Sequence, residues 1–220
     1  MNLAPFILTF KLALITTFIL LVISIPIAYW MAYTKSKAKF LFETIITLPM
    51  VLPPSVLGFY LLVSFGQNSA LGQFLGRHFD LYLPFSFAGL VVGSLIYSLP
   101  FMVNPIHAGF QNLDESLRDA SWTLGKSRWT TLVQVLLPNI KPSVFTGIVL
   151  SFAHTVGEFG VVLMIGGNLD STRVASIAIY DNVNKMDYTG AHQYSLVLLA
   201  VSFAMLASVY LLNRRGVRYL

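Results

Sequence analysis

Apolar residues run for long stretches in this 220-residue chain, and short polar links separate them. The first run, Ile7 to Tyr33, exceeds the roughly 20 residues that a helix needs to cross a bilayer. Four more runs follow, and the five predicted spans cover roughly 8–33, 41–65, 85–106, 140–165 and 193–213. Backbone groups cannot go unpaired in lipid, so each span is expected to be mainly helical. The predicted fold class is an all-α integral membrane protein, with one transmembrane domain over 1–220. One segment interrupts the pattern. Residues 112–138, between the third and fourth spans, are polar and amphipathic, and this island is expected to lie in water beside the membrane.

The island reads as a helix-turn-helix. Asn112 and Glu115 have capping-box spacing, which puts Asp114 and Glu115 in a first turn where the helix dipole favours acid. Leu113, Leu117, Ala120 and Leu124 recur on one helical face. Gly125 suits the left-handed residue that ends a helix. Ser127 can cap a second helix with Trp129, Leu132, Val133 and Leu136 on its apolar face, and Pro138 is expected to stop it. A hairpin that only anchors to lipid fits this pattern too. Ala120 to Ser127 also matches a loose phosphate-loop spacing, Gly-Lys-Ser included. A phosphate loop follows a strand and is rich in glycine, whereas here a helical pattern precedes it and Trp122 would crowd the anion. Nucleotide binding by this chain is not expected.

Composition agrees with the spans. The chain is 56% hydrophobic and 10% charged, against about 25% charged in soluble domains. Its net charge of +5 comes from bases clustered at span ends, not from one basic surface, so nucleic acid is excluded as a partner. Lys35, Lys37, Lys39, Arg118, Lys126, Arg128, Lys141, Arg214, Arg215 and Arg218 fall on one side of a five-span chain, and Lys11, Arg77, Arg173 and Lys185 on the other. Ten against four places the island and the C-terminus in the cytoplasm and the N-terminus outside. The first apolar run has no charged n-region and no cleavage site, so it reads as a retained span. Cysteine is absent and the four histidines are not spaced as a metal pair, so no metal or other cofactor is expected.

Two spans hold candidate pathway residues. In the second, Pro49, Pro53 and Pro54 interrupt an apolar run, and a kinked or broken helix is expected near Pro53. Such a break either is a tolerated kink or borders a pathway. In the fourth, Ser143, Gly147, Ser151 and Thr155 recur every four residues, a stripe that serves either close packing or pore lining. Glu158 lies one turn from His154, and an intramembrane carboxylate is costly enough to suggest function. Its expected role is structural or gating, by pairing with His154 or capping a kink between Gly157 and Gly160. A proton relay is the alternative, although the spans hold no other acid except Glu43 near an end. The polar link 166–192 is either a connector, a cover over the outer mouth or a partner surface. No nucleophile-base-orienter set suggests a membrane enzyme.

Asp119-Ala120-Ser121, Gly125 and Val135-x-Leu137-Pro138 resemble the EAA loop of ABC importer permeases, which reads Glu-Ala-Ala, three residues, Gly, nine residues, Ile-x-Leu-Pro. The departures here are Asp for Glu, Ser for the second Ala and Val for Ile. The second-span run Leu48 to Gly66 and Gly157-Glu-Phe-Gly160 are similar to signatures of molybdate importer permeases. The resemblance implies a type I importer fold that translocates molybdate, a homodimer, two copies of an ATP-binding subunit and an extracytoplasmic molybdate-binding protein. It makes the island a coupling helix that docks in the ATPase, with Leu117, Arg118, Asp119, Ala120, Ser121, Thr123, Gly125 and Pro138 as its residues. Pro53, Pro54, Ser151, His154, Thr155 and Glu158 are the candidates for pathway or gate. Tungstate and sulfate permeases share the loop, so another tetrahedral oxyanion is the alternative cargo. An ATP-independent channel or secondary transporter would leave the loop's spacing unexplained.

Overall fold

A computed structural model describes residues 2–216, without the side chains of Val209 and 212–216. Arg218 and the side chains of Arg214 and Arg215, counted above for orientation, thus lie outside the described residues. The described chain is helical and contains no strand.

Helix α1 (Ala4–Tyr33) is 30 residues long, or about 45 Å at 1.5 Å per residue. Apart from Lys11 it is apolar all round, as a membrane helix is. Ile7, Leu14, Phe18 and Val22 are exposed along one stripe, a surface suited to lipid. Leu12, Leu20, Ala28 and Met31 are buried. A short linker leads to α2 (Lys39–Val51) and α3 (Pro54–Phe65), whose axes differ by 111°. The kinked or broken helix expected near Pro53 is thus a break, two helices joined by a sharp corner. The cause is local. Leu52 and Pro53 each precede a proline, which forces both into extended backbone, with ψ of 137° and 133°.

A surface helix, α4 (Ala70–Phe79), precedes the central helix α5 (Phe87–Gln111). Ser86 caps α5 by accepting the Gly89 N–H at 3.1 Å. Two polar-island helical segments, α6 (Glu115–Thr123) and α7 (Arg128–Thr131), follow, and α7 runs on through a π-helical turn (Leu132–Leu136) into α8 (Leu137–Asn139). Pro138 does not end this helix as expected. The π turn shifts the register so that the Leu137 N–H donates to the Leu132 carbonyl, and the chain turns by 79° only after Asn139.

The fourth predicted span is likewise broken, into α9 (Lys141–Gly157) and α10 (Gly160–Gly166). The polar link 166–192 is not a plain connector. It contains α11 (Ala175–Asn184), whose Val174, Ala175, Ile177 and Ala178 are buried. The Ala175 N–H donates to Thr9 Oγ1 at 2.8 Å and ties α11 to α1. The last helix, α12 (Tyr188–Gly216), begins five residues before the predicted span. Among the described residues, α1, α5 and the Tyr188–Ser208 part of α12 are each long and apolar enough to cross a membrane, and each bent pair would add one crossing if it counts as a span.

The core lies along α1, α5 and α9. At one end, Met31, Met102, Ile106 and Phe110 form a cluster that also takes in Leu132, Leu136 and Ile140. At the other, Leu12, Leu90, Val161, Ile165 and Ile177 pack together. The island therefore shares a hydrophobic core with the spans.

Candidate functional site

The first candidate site is the hairpin α6–α8. Its helix starts two residues later than the capping-box spacing suggests. Asp114, not Asn112, is the cap, and its carboxylate accepts the Ser116 N–H at 2.9 Å. That bond holds the Asp114 carboxyl below the usual carboxylate range. Glu115 follows in the first turn, as expected. At the far end Gly125 has φ +74°, its N–H donates to the Trp122 carbonyl, and the Lys126 N–H donates to the Ser121 carbonyl at 3.1 Å. This crossed pair of bonds is the Schellman ending, which needs a left-handed residue at the corner. Gly125 supplies it.

Ser127 caps the second helix, accepting the Thr130 N–H at 3.1 Å. Leu132 and Leu136 of its predicted apolar face are buried, while Trp129 and Val133 are exposed. Of the first helix's predicted apolar face, Leu117, Ala120 and Leu124 are exposed. The residue turned into the hairpin is Ser121, whose Oγ lies 2.9 Å from Thr131 Oγ1.

Arg118 fastens the hairpin to α1. Its guanidinium lies 4.8 Å from the Tyr33 ring and 5.0 Å from the Trp122 ring. It also pairs with Glu115 at 3.8 Å and Asp119 at 3.4 Å. Asp119 thus pairs with the residue just before it. Leu117, Asp119, Ala120 and Thr123 remain as an open surface, with Thr123 Oγ1 bonded back to the Asp119 carbonyl at 2.9 Å. Pro138 is exposed at the hairpin's far end. The Gly-Lys-Ser run is a helix ending followed by a cap, with a helix in place of the strand of a phosphate loop.

The second candidate site lies between the two broken pairs. A pocket of about 550 Å³ is lined by Pro54, Ser55, Tyr97, His154, Glu158 and Gly160, among others. The breaks meet here because their backbones touch. A Cβ on Gly160 would sit 2.6 Å from Pro54 Cβ, and one on Gly58 would sit 2.7 Å from Met164 Cβ. Glycine is what allows α3 and α10 to come together.

Glu158 and His154 do not pair with each other. The Ser94 hydroxyl donates to Glu158 Oε2 at 2.7 Å, and Ser98 Oγ lies 2.9 Å from His154 Nδ1. Glu158 Oε1 is buried without a hydrogen-bond partner among the described residues. Glu158 does occupy the break between Gly157 and Gly160, in extended backbone (ψ 131°), and its carbonyl accepts the Ser176 hydroxyl at 2.6 Å. His154 stacks on Phe101 with ring centroids 3.9 Å apart. The remaining acid considered for a relay, Glu43, lies against Lys39 at 3.6 Å and His107 at 3.9 Å.

Pro54, His154 and Glu158 are therefore brought together, whereas Ser151 and Thr155 are buried and do not line the pocket. Thr155 Oγ1 lies 3.0 Å from Ser98 Oγ. Farther along the same stripe, Gly147 and Ser143 pack against Met102 and Gly109 of α5. Pro53 holds the α2–α3 corner beside the pocket wall. The sequence reading missed Ser94, Tyr97, Ser98 and Phe101. The spacing of Ser94 and Ser98, four apart in an apolar helix, was the available signal.

Residues 24–217 match the family model of binding-protein-dependent transport system inner membrane components. The chain is 46% identical over 213 residues to the molybdenum transport system permease protein ModB of Azotobacter vinelandii, covering 95% of this chain and 93% of that one. It is 30% identical over 211 residues to the sulfate transport system permease protein CysT of Escherichia coli strain K12, covering 94% of this chain and 76% of that one. Its fold resembles a crystal structure of a bacterial ABC transporter involved in the import of the acidic polysaccharide alginate, with TM-score 0.74 and 17% identity over 96% of this chain and 79% of that chain. The helical architecture is that of a type I ABC importer permease. The chain belongs to the family of binding-protein-dependent transport system inner membrane components.

Proposed function

We propose that this chain is the permease subunit of an ATP-driven importer that moves molybdate across the cytoplasmic membrane by alternating access. The observation that carries the reading is its likeness, along nearly the whole chain, to a molybdenum transport permease. The chain itself is not catalytic. ATP is hydrolysed by a separate ATP-binding subunit, present in two copies on a permease homodimer, and an extracytoplasmic binding protein delivers molybdate. The N-terminus lies outside and the hairpin and C-terminus in the cytoplasm, in keeping with the charge asymmetry.

The hairpin is the coupling element. Leu117, Asp119, Ala120 and Thr123 form the face that meets the ATPase. Arg118 and Ser121 keep that face rigid from behind, Gly125 makes the corner, and Pro138 lies where the hairpin rejoins the spans. Closure of the ATPase moves the hairpin, and the shared core of Leu132, Leu136, Ile106 and Phe110 carries the motion into α5.

Molybdate passes beside the pocket between the broken pairs. Pro54 and Ser55 form the first turn of α3, the electropositive end of a helix, which suits a passing anion. Glu158 and His154 act there as gate residues, and Pro53, Ser151 and Thr155 hold the surrounding helices. No arginine among the described residues lines the pocket, and a pathway needs only weak sites. The likeness to a sulfate permease favours, as the second reading, another tetrahedral oxyanion such as sulfate or tungstate. Uptake of labelled molybdate by cells expressing the complete transporter tests the choice. Excess sulfate should leave molybdate uptake intact, and equal competition by sulfate would reject molybdate as the preferred cargo.

A further inference from the structure

At the hairpin end of the bundle, behind the proposed docking face, lies a second pocket, of about 350 Å³, to whose Lys35 and Arg128 coupling assigns no role. Its walls include the cations of Lys35, Arg118 and Arg128 and the rings of Trp30, Tyr33 and Trp122. These come from three places: the last turn of α1, the linker after it, and both helices of the hairpin. From these observations we infer that the pocket binds the phosphate headgroup of an anionic phospholipid, which bridges α1 and the hairpin.

The charge favours an anion. Arg118 is shared with Glu115 and Asp119, but neither acid lines the pocket. Lys35 and Arg128 have no carboxylate within 4.0 Å among the described residues. The pocket therefore carries two uncompensated positive charges beside a third.

The location selects a lipid. Tyr33 ends a 30-residue apolar helix, and Trp30 beside it is 41% exposed and meets Phe42 of α2 edge to face. Tyrosine and tryptophan at the end of a span sit at headgroup depth. Basic pockets between membrane helices at that depth hold acidic headgroups. An acidic segment of the ATPase is disfavoured as occupant. Arg118 is turned towards Tyr33, with only 16% of its side chain exposed, while Leu117, Asp119, Ala120 and Thr123 form a different open surface. A bound headgroup would pin the hairpin against α1.

The test uses the purified full chain, alone and in complex with its ATP-binding subunit, in mixed micelles of detergent and phosphatidylcholine, titrated with phosphatidylglycerol and followed by thermal unfolding and by the lipid retained after gel filtration. Phosphatidylglycerol should stabilise the protein and be retained in preference to phosphatidylcholine. Each charge near the membrane surface contributes about a fivefold change in affinity, so Lys35→Gln or Arg128→Gln should weaken retention about fivefold, and the double variant about 30-fold. Lys37→Gln is the control, because Lys37 is exposed on the same linker but does not line the pocket. An equal loss with Lys37→Gln would overturn the pocket in favour of general surface charge. Inorganic phosphate giving the same stabilisation without lipid would overturn the lipid assignment. Unchanged lipid retention in the double variant, with loss of the ATP-binding subunit from the purified complex, would assign the pocket to the ATPase instead.

Discussion

Ser121 Oγ lies 2.9 Å from Thr131 Oγ1, a buried bond that joins the two helices of the hairpin. Thr131 has a second partner, the Ser127 carbonyl at 2.9 Å, whereas this bond is the one shown for the Ser121 hydroxyl. The two ends are therefore unequal. Ser121→Ala removes the bond but leaves Thr131 satisfied, at a cost of about 1 kcal/mol. Thr131→Val strands a buried hydroxyl and should cost about 1–3 kcal/mol. Thermal unfolding should rank Thr131→Val as the more harmful, with the double variant recovering part of the loss. Equal effects, or a double variant worse than the sum, would contradict the bond.

Gly125 has a left-handed backbone and open space where a side chain would go, so backbone strain alone should govern substitutions there. A β-carbon in that conformation costs about 1–2 kcal/mol, and asparagine tolerates it best. In the assembled transporter, substrate-stimulated ATP hydrolysis should fall in the order Gly, Asn, Val, Pro, and Gly125→Pro should abolish it because proline cannot adopt positive φ. Asp119→Lys should also abolish it, by reversing the charge of the open face and repelling Arg118. Full stimulation in both variants would end the coupling role.

Glu158 has one side-chain partner among the described residues, the Ser94 hydroxyl. Glu158→Gln keeps an oxygen to accept that bond, so the protein should fold and assemble while uptake changes. Ser94→Ala should instead destabilise it by about 1–3 kcal/mol, because the carboxyl loses its donor. Size-exclusion profiles and uptake rates separate the outcomes. If Glu158→Gln prevents assembly, the residue is structural and not a gate.

Gly157 and Gly160 flank the same break but face different surroundings. A Cβ at 157 meets nothing within 4 Å, while one at 160 strikes Pro54. Gly157→Ala should be nearly neutral, and Gly160→Ala should cost about 1–3 kcal/mol by forcing α3 away from α10. Unfolding midpoints of the two variants check the contrast, and equal values would show that the breaks are not packed on each other.

Much of this was readable along the chain. The hairpin was visible because its signals are local: Ser127 at a cap, Gly125 at a corner, and charge where lipid would forbid it. The first cap was misplaced by two residues, since Asn112 and Asp114 are both good caps and only the end of α5 decides between them. Helix α11 was missed because Asp170, Arg173, Asp181, Lys185 and Asp187 make the link too polar for a span, although Val174 to Ala178 supply a buried end. Prolines 53 and 54 announced a break but not its size.

By itself, then, the sequence determined the membrane character, the polar island and the residues that punctuate it. These follow from hydropathy and backbone rules acting over a few neighbouring positions. Only the tertiary structure decided that the two breaks face each other, that Glu158 takes Ser94 and His154 takes Ser98, and that Arg118 lies against Tyr33. Those partners are separated by dozens of residues, and which of them meet is decided by how α1, α3, α5, α9 and α10 pack rather than by spacing along the chain.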